Sequence, residues 1–126
     1  MRLTRQTDYA LRILLQAAAD PTQRLSISSV SELHGISKNH VMKVVNLLAR
    51  HGLLATVRGR GGGFSLGRDA SEIRLGEVVR LTEPDLNPAD CGGCVLNGAC
   101  GLTPILTSAV RAFLADLDRQ TLADAA

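Results

Sequence analysis

The run Arg58-Gly59-Arg60-Gly61-Gly62-Gly63 constrains this chain more than any other stretch. Four glycines in six positions carry too much backbone freedom for a helix or strand interior, so regular structure must stop on either side. Before the run, Leu53 to Val57 is short and rich in Leu and Val; after it, Phe64-Ser65-Leu66 alternates. The two flanks predict a β-hairpin over 53–66 whose tip carries two arginines.

What precedes the hairpin has helical period. Ser28 or Ser29 caps a short helix through Val30 and Leu33 to His34, and Gly35 supplies the left-handed residue that ends it. Ile36 is an apolar turn residue able to plug the angle between two helices. Ser37 caps a second helix to His51, with Val41, Val44, Val45 and Leu48 as its apolar stripe and Gly52 as its stop. Helix, Gly-containing turn, helix and basic hairpin, in that order, make the outline of a winged helix-turn-helix.

The rest is helical. Thr7 to Ala19 predicts an opening helix with an apolar stripe of Leu11, Leu14, Leu15 and Ala18, stopped before Asp20-Pro21. Glu72 to Glu83 predicts another, with Leu75, Val78, Val79 and Thr82 inward. Residues 84–101 form a loop of Asn, Pro, Gly and Cys. Thr103 caps a last long helix with Pro104 at its first position and a stripe of Leu106, Val110, Phe113, Leu114 and Leu117. So small a chain has little to cover that stripe; it pairs with a second copy, or folds back on the first helix. The fold class expected is therefore mainly α: a winged helix-turn-helix head over 1–83, a cysteine loop over 84–101, and a dimerisation helix and tail over 102–126.

Charge is divided unevenly. Residues 1–68 hold ten Lys or Arg against three acids, a net +7, whereas residues 69–126 hold four against nine, a net −5. A basic half attracts a polyanion, nucleic acid above all, although an uneven solvated surface would look the same. With only Tyr9, Phe64 and Phe113 as aromatics, the composition argues against base-stacking platforms. No stretch reaches the roughly 20 apolar residues of a membrane span, and Asp8 and Arg12 interrupt any secretory signal. A cytoplasmic, non-membrane protein is expected.

On the second helix of the motif, Asn39, Lys43, Asn46 and Arg50 share the face opposite the valines, and Lys38 and His40 stand at its first turn. Asn can pair with adenine edges; Lys and Arg reach guanine or phosphate. With Ser28, Ser37, Arg58, Arg60 and Gly61 these are the candidate contacts to double-stranded DNA. The bland readings are a solvated helix face and a plain turn, but a plain turn needs no arginine pair. No nucleophile–base pair or carboxylate dyad stands at local spacing, so an enzyme is not expected.

Cys91-x2-Cys94-x5-Cys100 is too odd and too tight for a disulfide framework. Three thiols without a nearby His or fourth Cys fall short of a structural zinc site. They suit an iron–sulfur cluster with one exchangeable ligand, a Cys91–Cys94 dithiol switch, or no chemistry at all.

Three stretches resemble one family: the opening residues 1–12, the wing 58–64, and the three-cysteine loop followed by a long helix. The chain is similar over nearly its whole length to winged-helix iron–sulfur transcriptional regulators (IscR/NsrR-like), and most to their nitric-oxide-sensing members. The resemblance implies a bacterial repressor, a homodimer with crossed long helices, and a palindromic operator. It implies ligation of a [4Fe-4S] or [2Fe-2S] cluster by Cys91, Cys94 and Cys100, with Asp8 of the partner subunit as the remaining ligand. Arg12, one helical turn from Asp8, would hold that carboxylate when no cluster is bound. Cluster-assembly members instead use a His three residues after the last Cys; Thr103 stands there, which disfavours that arrangement. Only Gly92 and Gly93 separate the first two cysteines, a shorter arm than is usual in the nitric-oxide-sensing members. Nuclearity therefore stays open, as does the signal: nitric oxide, iron or cluster status, or redox potential acting on a cluster-free thiol switch.

Overall fold

In the computed structural model, which describes residues 1–126, the first helix α1 spans Arg5–Ala19 and starts earlier than its apolar period indicates. Thr4 caps it by accepting a hydrogen bond from the Thr7 N–H. Its buried face is Thr7, Ala10, Ile13, Leu14 and Ala17, whereas Leu11, Leu15 and Ala18 are only half-buried. The expected stripe is thus rotated. The small Ala10 and Ala17 allow neighbouring helices to approach closely, and the larger leucines flank the contact.

Helix α2, Ile27–His34, is capped by Ser26 and not by Ser28 or Ser29. Ser26 and Ser29 close a reciprocal capping box, so Ser29 serves the cap from inside the helix. Gly35 ends α2 at φ 65°. Ile36 is buried between the helices as expected, but Leu33 points outward and is 67% exposed. Helix α3, Lys38–Arg50, takes Ser37 as its cap and buries Val41, Val44, Val45 and Leu48, the stripe its period predicts.

The hairpin pairs β1, Leu54–Val57, with β2, Gly63–Leu66, antiparallel, Leu54 opposite Leu66 and Val57 opposite Gly63. Leu25 adds a third edge through two 2.8 Å bonds with Phe64, which fixes the hairpin to the α1–α2 connection. Gly63, at φ 148°, lies so close to the Leu25 carbonyl that a Cβ would collide with it. Phe64 is the largest fully buried side chain of the core.

The helix expected over 72–83 divides into a 3-10 turn, Ala70–Glu72, and helix α4, Leu75–Thr82. Asp69 begins the turn by bonding the Ser71 N–H. Helix α5, Leu102–Asp118, starts one residue before Thr103 and has no side-chain cap, so Pro104 is its third residue. It lies against α4, joined by the paired Arg80–Asp118 bonds of 2.5 and 2.8 Å. A Cβ on Gly76 would strike Asp118, so glycine there permits the approach. Of the α5 stripe only Leu114 is buried; Leu106, Val110, Phe113 and Leu117 are half-buried, and Leu102 and Ile105 exposed.

The tail is not a tail. Helix α6, Leu122–Ala125, returns to the head, capped by a Thr121–Asp124 box. Leu122 is fully buried beside Ile73, whose carbonyl receives the Leu122 N–H at 2.8 Å. No helix is long and apolar enough to cross a membrane.

Candidate nucleic-acid interface and cysteine loop

Burying the valine stripe of α3 turns its other face outward. Lys38, Asn39, Lys43, Asn46 and Arg50 are all exposed, and His40 is half-buried. Ser37 spends its side-chain oxygen on the His40 N–H, so what it offers outward is its place at the helix start. Ser28 is exposed on α2. At the wing tip Arg58, Arg60 and Gly61 are exposed, with Gly59 and Gly61 at φ 92° and 68°. The structure thus places every expected contact residue on exposed or half-exposed surface of α2, α3 and the wing.

Three residues here escaped the sequence reading. Met42 lies among Asn39, Lys43 and Asn46 on α3 and is 46% exposed, an apolar group suited to a thymine methyl. Arg24 donates from Nη1 to the Gly61 carbonyl at 2.9 Å and so braces the wing tip from the α1–α2 connection. Only the tertiary fold brings it there; nothing in its local spacing signals it. Tyr9 meets His40 edge-on, with ring centroids 4.8 Å apart at 71°. Aromatic pairs favour that geometry, and this one joins α1 to the first turn of α3.

Asp8, beside Tyr9, is half-exposed and ion-paired to Arg12 at 2.9 Å, with a second bond from Arg12 Nε at 3.0 Å. The helical spacing anticipates that pair. Being exposed, it is worth little in stability and is readily exchanged for another partner.

All three cysteines are free thiols; Cys94 is exposed, Cys91 and Cys100 half-buried. The loop is a chain of tight turns: Cys94 N–H to the Cys91 carbonyl at 3.2 Å, Asn97 to Cys94 at 3.1 Å, Ala99 to Leu96 at 3.0 Å. Residues 92–99 are all exposed, Val95 at 98%. Cys100 sits just before α5. The N–H groups of Leu102 and Thr103 hold its thiol below the ordinary value; modest burial opposes them and the Thr103 hydroxyl adds to them. The same hydroxyl lies 3.8 Å from Cys91 Sγ, so Thr103, within α5, faces two of the three sulfurs. No three His, Cys, Asp or Glu side chains converge as a closed metal site. As a donor set, however, three thiols on a glycine-rich loop, one of them drawn toward thiolate, suit iron and sulfide. A cleft of about 770 Å³ opens beside Cys91, bounded by Asp85, Asp90, Thr103 and Thr107.

Comparisons with known proteins agree with this geometry. The Rrf2 family, described as iron-dependent transcriptional regulators, matches residues 3–126. The HTH-type transcriptional regulator NsrR of Bacillus subtilis (strain 168) is 46% identical over 130 residues, covering 98% of this chain and 89% of that protein. Among solved structures, T. potens IscR superposes with a TM-score of 0.80 at 22% identity, covering 98% of this chain and 85% of that one. The oxidized form of Staphylococcus aureus CymR gives 0.81 at 25% identity, with 98% and 94% covered.

Proposed function

The chain belongs to the Rrf2 family of winged-helix transcriptional regulators, and from that footing we propose that it is a repressor whose hold on DNA is set by an iron–sulfur cluster on the cysteine loop and relieved by nitric oxide. Family membership makes it a regulator of transcription and not an enzyme. The observation that carries the finer reading is the pairing, in one small fold, of an exposed basic reading surface with an exposed three-thiol loop.

On DNA, α3 lies in the major groove, with Asn39, Lys43 and Asn46 toward base edges and Arg50 toward phosphate. Arg58 and Arg60 follow the adjacent backbone or minor groove. The half-covered stripe of α5 packs against a second copy. The two heads then meet a palindromic operator at half-sites about 34 Å apart.

Cys91, Cys94 and Cys100 would hold the cluster, and Asp8 of the partner subunit would complete its ligand set. When bound, the cluster supplies iron to which nitric oxide can add. A carboxylate holds iron less tightly than a thiolate, so Asp8 would be the ligand most readily released, and Arg12 would receive it as in the ion pair seen here. Asp8 and Tyr9 are neighbours on α1, and Tyr9 touches His40. A shift of that turn therefore reaches the start of the recognition helix and alters the head-to-head spacing.

A second reading is a cluster-free redox switch between Cys91 and Cys94, free thiols that one tight turn joins through the Cys94 N–H and the Cys91 carbonyl at 3.2 Å. Anaerobic absorption and circular dichroism, with iron and sulfide counted before and after nitric oxide, separate the readings. A visible band bleached by nitric oxide supports the sensor. A band indifferent to it favours a regulator of iron or cluster status. No band after anaerobic reconstitution leaves the thiol switch.

A further inference from the structure

Thr4, Thr7, Thr82 and Glu83 form a polar knot at one end of an apolar core. Glu83 Oε2 accepts from the Thr4 N–H at 3.1 Å, from Thr4 Oγ1 at 2.7 Å, and from Thr7 Oγ1. Thr82 Oγ1 lies 2.8 Å from Thr7 Oγ1. Thr7 and Thr82 are fully buried and Glu83 is half-buried. Capping α1 does not require this much, because Thr4 already caps it. What the carboxylate adds is a tie between two segments 76 to 79 residues apart in sequence.

The identity of those segments gives the tie its meaning. On one side stands the first turn of α1, where Thr7 is followed by Asp8 and Tyr9. On the other, Glu83 is the last residue before Pro84 and the cysteine loop. Glu83 also borders a cleft of about 600 Å³ where the amino terminus, the loop root at Asp85–Pro88 and α5 meet. The knot is thus the one polar joint holding the loop's root to the helix that touches the recognition helix. The loop itself is almost wholly exposed, so without such a joint its movements would dissipate as chain flexibility.

We propose that Glu83 is a positioning residue that locks the first turn of α1 to the root of the cysteine loop, so that a change in the loop is delivered through Tyr9 to His40. This deepens the regulatory reading above and rests on the loop being the sensing element.

The test uses the full-length protein, metal-free and reconstituted with iron and sulfide, as wild type, Glu83→Ala and Glu83→Gln. Amide hydrogen exchange of the metal-free protein reads the joint directly. Glu83→Ala should speed exchange at the bonded amides of residues 4–9 by about tenfold or more, as expected when hydrogen bonds to a carboxylate are lost, and leave the middle of α3 unchanged. Glu83→Gln keeps one carbonyl oxygen for the same donors and should recover most of the protection. It also carries the test if Glu83→Ala does not fold.

Affinity for a DNA duplex selected from a random pool reads the signalling. The wild-type ratio of reconstituted to metal-free affinity should fall toward one in Glu83→Ala, with metal-free affinity within about twofold of wild type. Unchanged exchange at residues 4–9 would overturn the joint. Faster exchange with an unchanged ratio would make Glu83 a brace only and overturn its positioning role. A wild-type ratio of one would count against the regulatory reading itself, before any variant is compared.

Discussion

Arg58 and Arg60 allow the DNA-binding reading to be tested with little interference from folding. Both are exposed, and neither takes part in any of the four ion pairs of the chain. Replacing either with Ala should therefore leave thermal stability unchanged, because nothing folded depends on the guanidinium. DNA binding should respond through counterion release. Each phosphate contact contributes about 0.9 to the slope of log affinity against log salt. A dimer presents the wing twice, so Arg60→Ala removes two contacts and flattens the slope by about 1.8. Between about 50 and 200 mM salt the gap between wild type and variant should then narrow about tenfold. Fluorescence anisotropy of a labelled duplex across that range measures it, on specific and scrambled DNA alike. An unchanged slope with lost affinity for one sequence only would mean that Arg60 reads a base edge. A fall in melting temperature would show that the wing arginines brace the fold, and the argument from exposure would fail.

Other expectations follow from the same structure. Leu122→Ala should cost about 2–5 kcal/mol in urea denaturation, because a fully buried leucine leaves a cavity at the end of the core; a cost below about 0.5 kcal/mol would remove α6 from the core. Burial raises the Glu83 carboxyl, but the hydrogen bonds from Thr7 and Thr4 outweigh it and hold the group below its ordinary value. A depressed carboxyl contributes stability that is fully present above the unfolded value and is lost as pH falls through the folded one. Glu83→Gln should accordingly lower stability at neutral pH and flatten its acid limb, and an acid limb identical to wild type would contradict that assignment. Asp8→Ala should permit cluster binding while altering the visible spectrum and the response to nitric oxide; identical spectra and titrations would take Asp8 out of the ligand set.

How much of this was legible in the sequence depended on whether local chemistry or tertiary contact decides each element. The stretch from Gly35 to β2 could be read closely. Gly35, Ser37 and Gly52 act through their own backbone or first neighbours, and the valine stripe of α3 needs only helical period. Where two signals competed, the reading slipped. Ser26, Ser28 and Ser29 are all capable caps, and the pairing of Ser26 with Ser29 decides among them. On α1, leucine size suggested one face, whereas the small alanines mark the true contact. Leu33 fits a helical stripe, but α2 turns it outward. The return of Leu122 was beyond reach, because its burial depends on Ile73 and the 3-10 turn, some fifty residues earlier. Of the candidate site, the expected contact residues were named by type and spacing, and their exposure follows from the buried valine stripe. Arg24, Tyr9–His40 and Glu83 matter only through partners distant in sequence.

The cysteine loop and the head differ in what sets their conformation. The head has a continuous core running from Ala10 to Leu122, so packing sets its conformation. Residues 92–99 are all exposed, so their conformation is set mainly by short-range turns and by whatever the thiols bind. Such a loop is a poor lever but a responsive one: small binding energies redirect it, because little packing opposes them. To affect DNA it must act through a part that does not yield. Its two ends meet that need differently. Cys100 runs straight into α5, whose stripe is free to take a second copy, and Glu83 fastens the other end to α1. In the proposed dimer, one end would report to the arrangement of subunits and the other to the recognition helix. A ligand that draws Cys91, Cys94 and Cys100 together would act on both at once, which is the coupling a DNA-binding switch of this size requires.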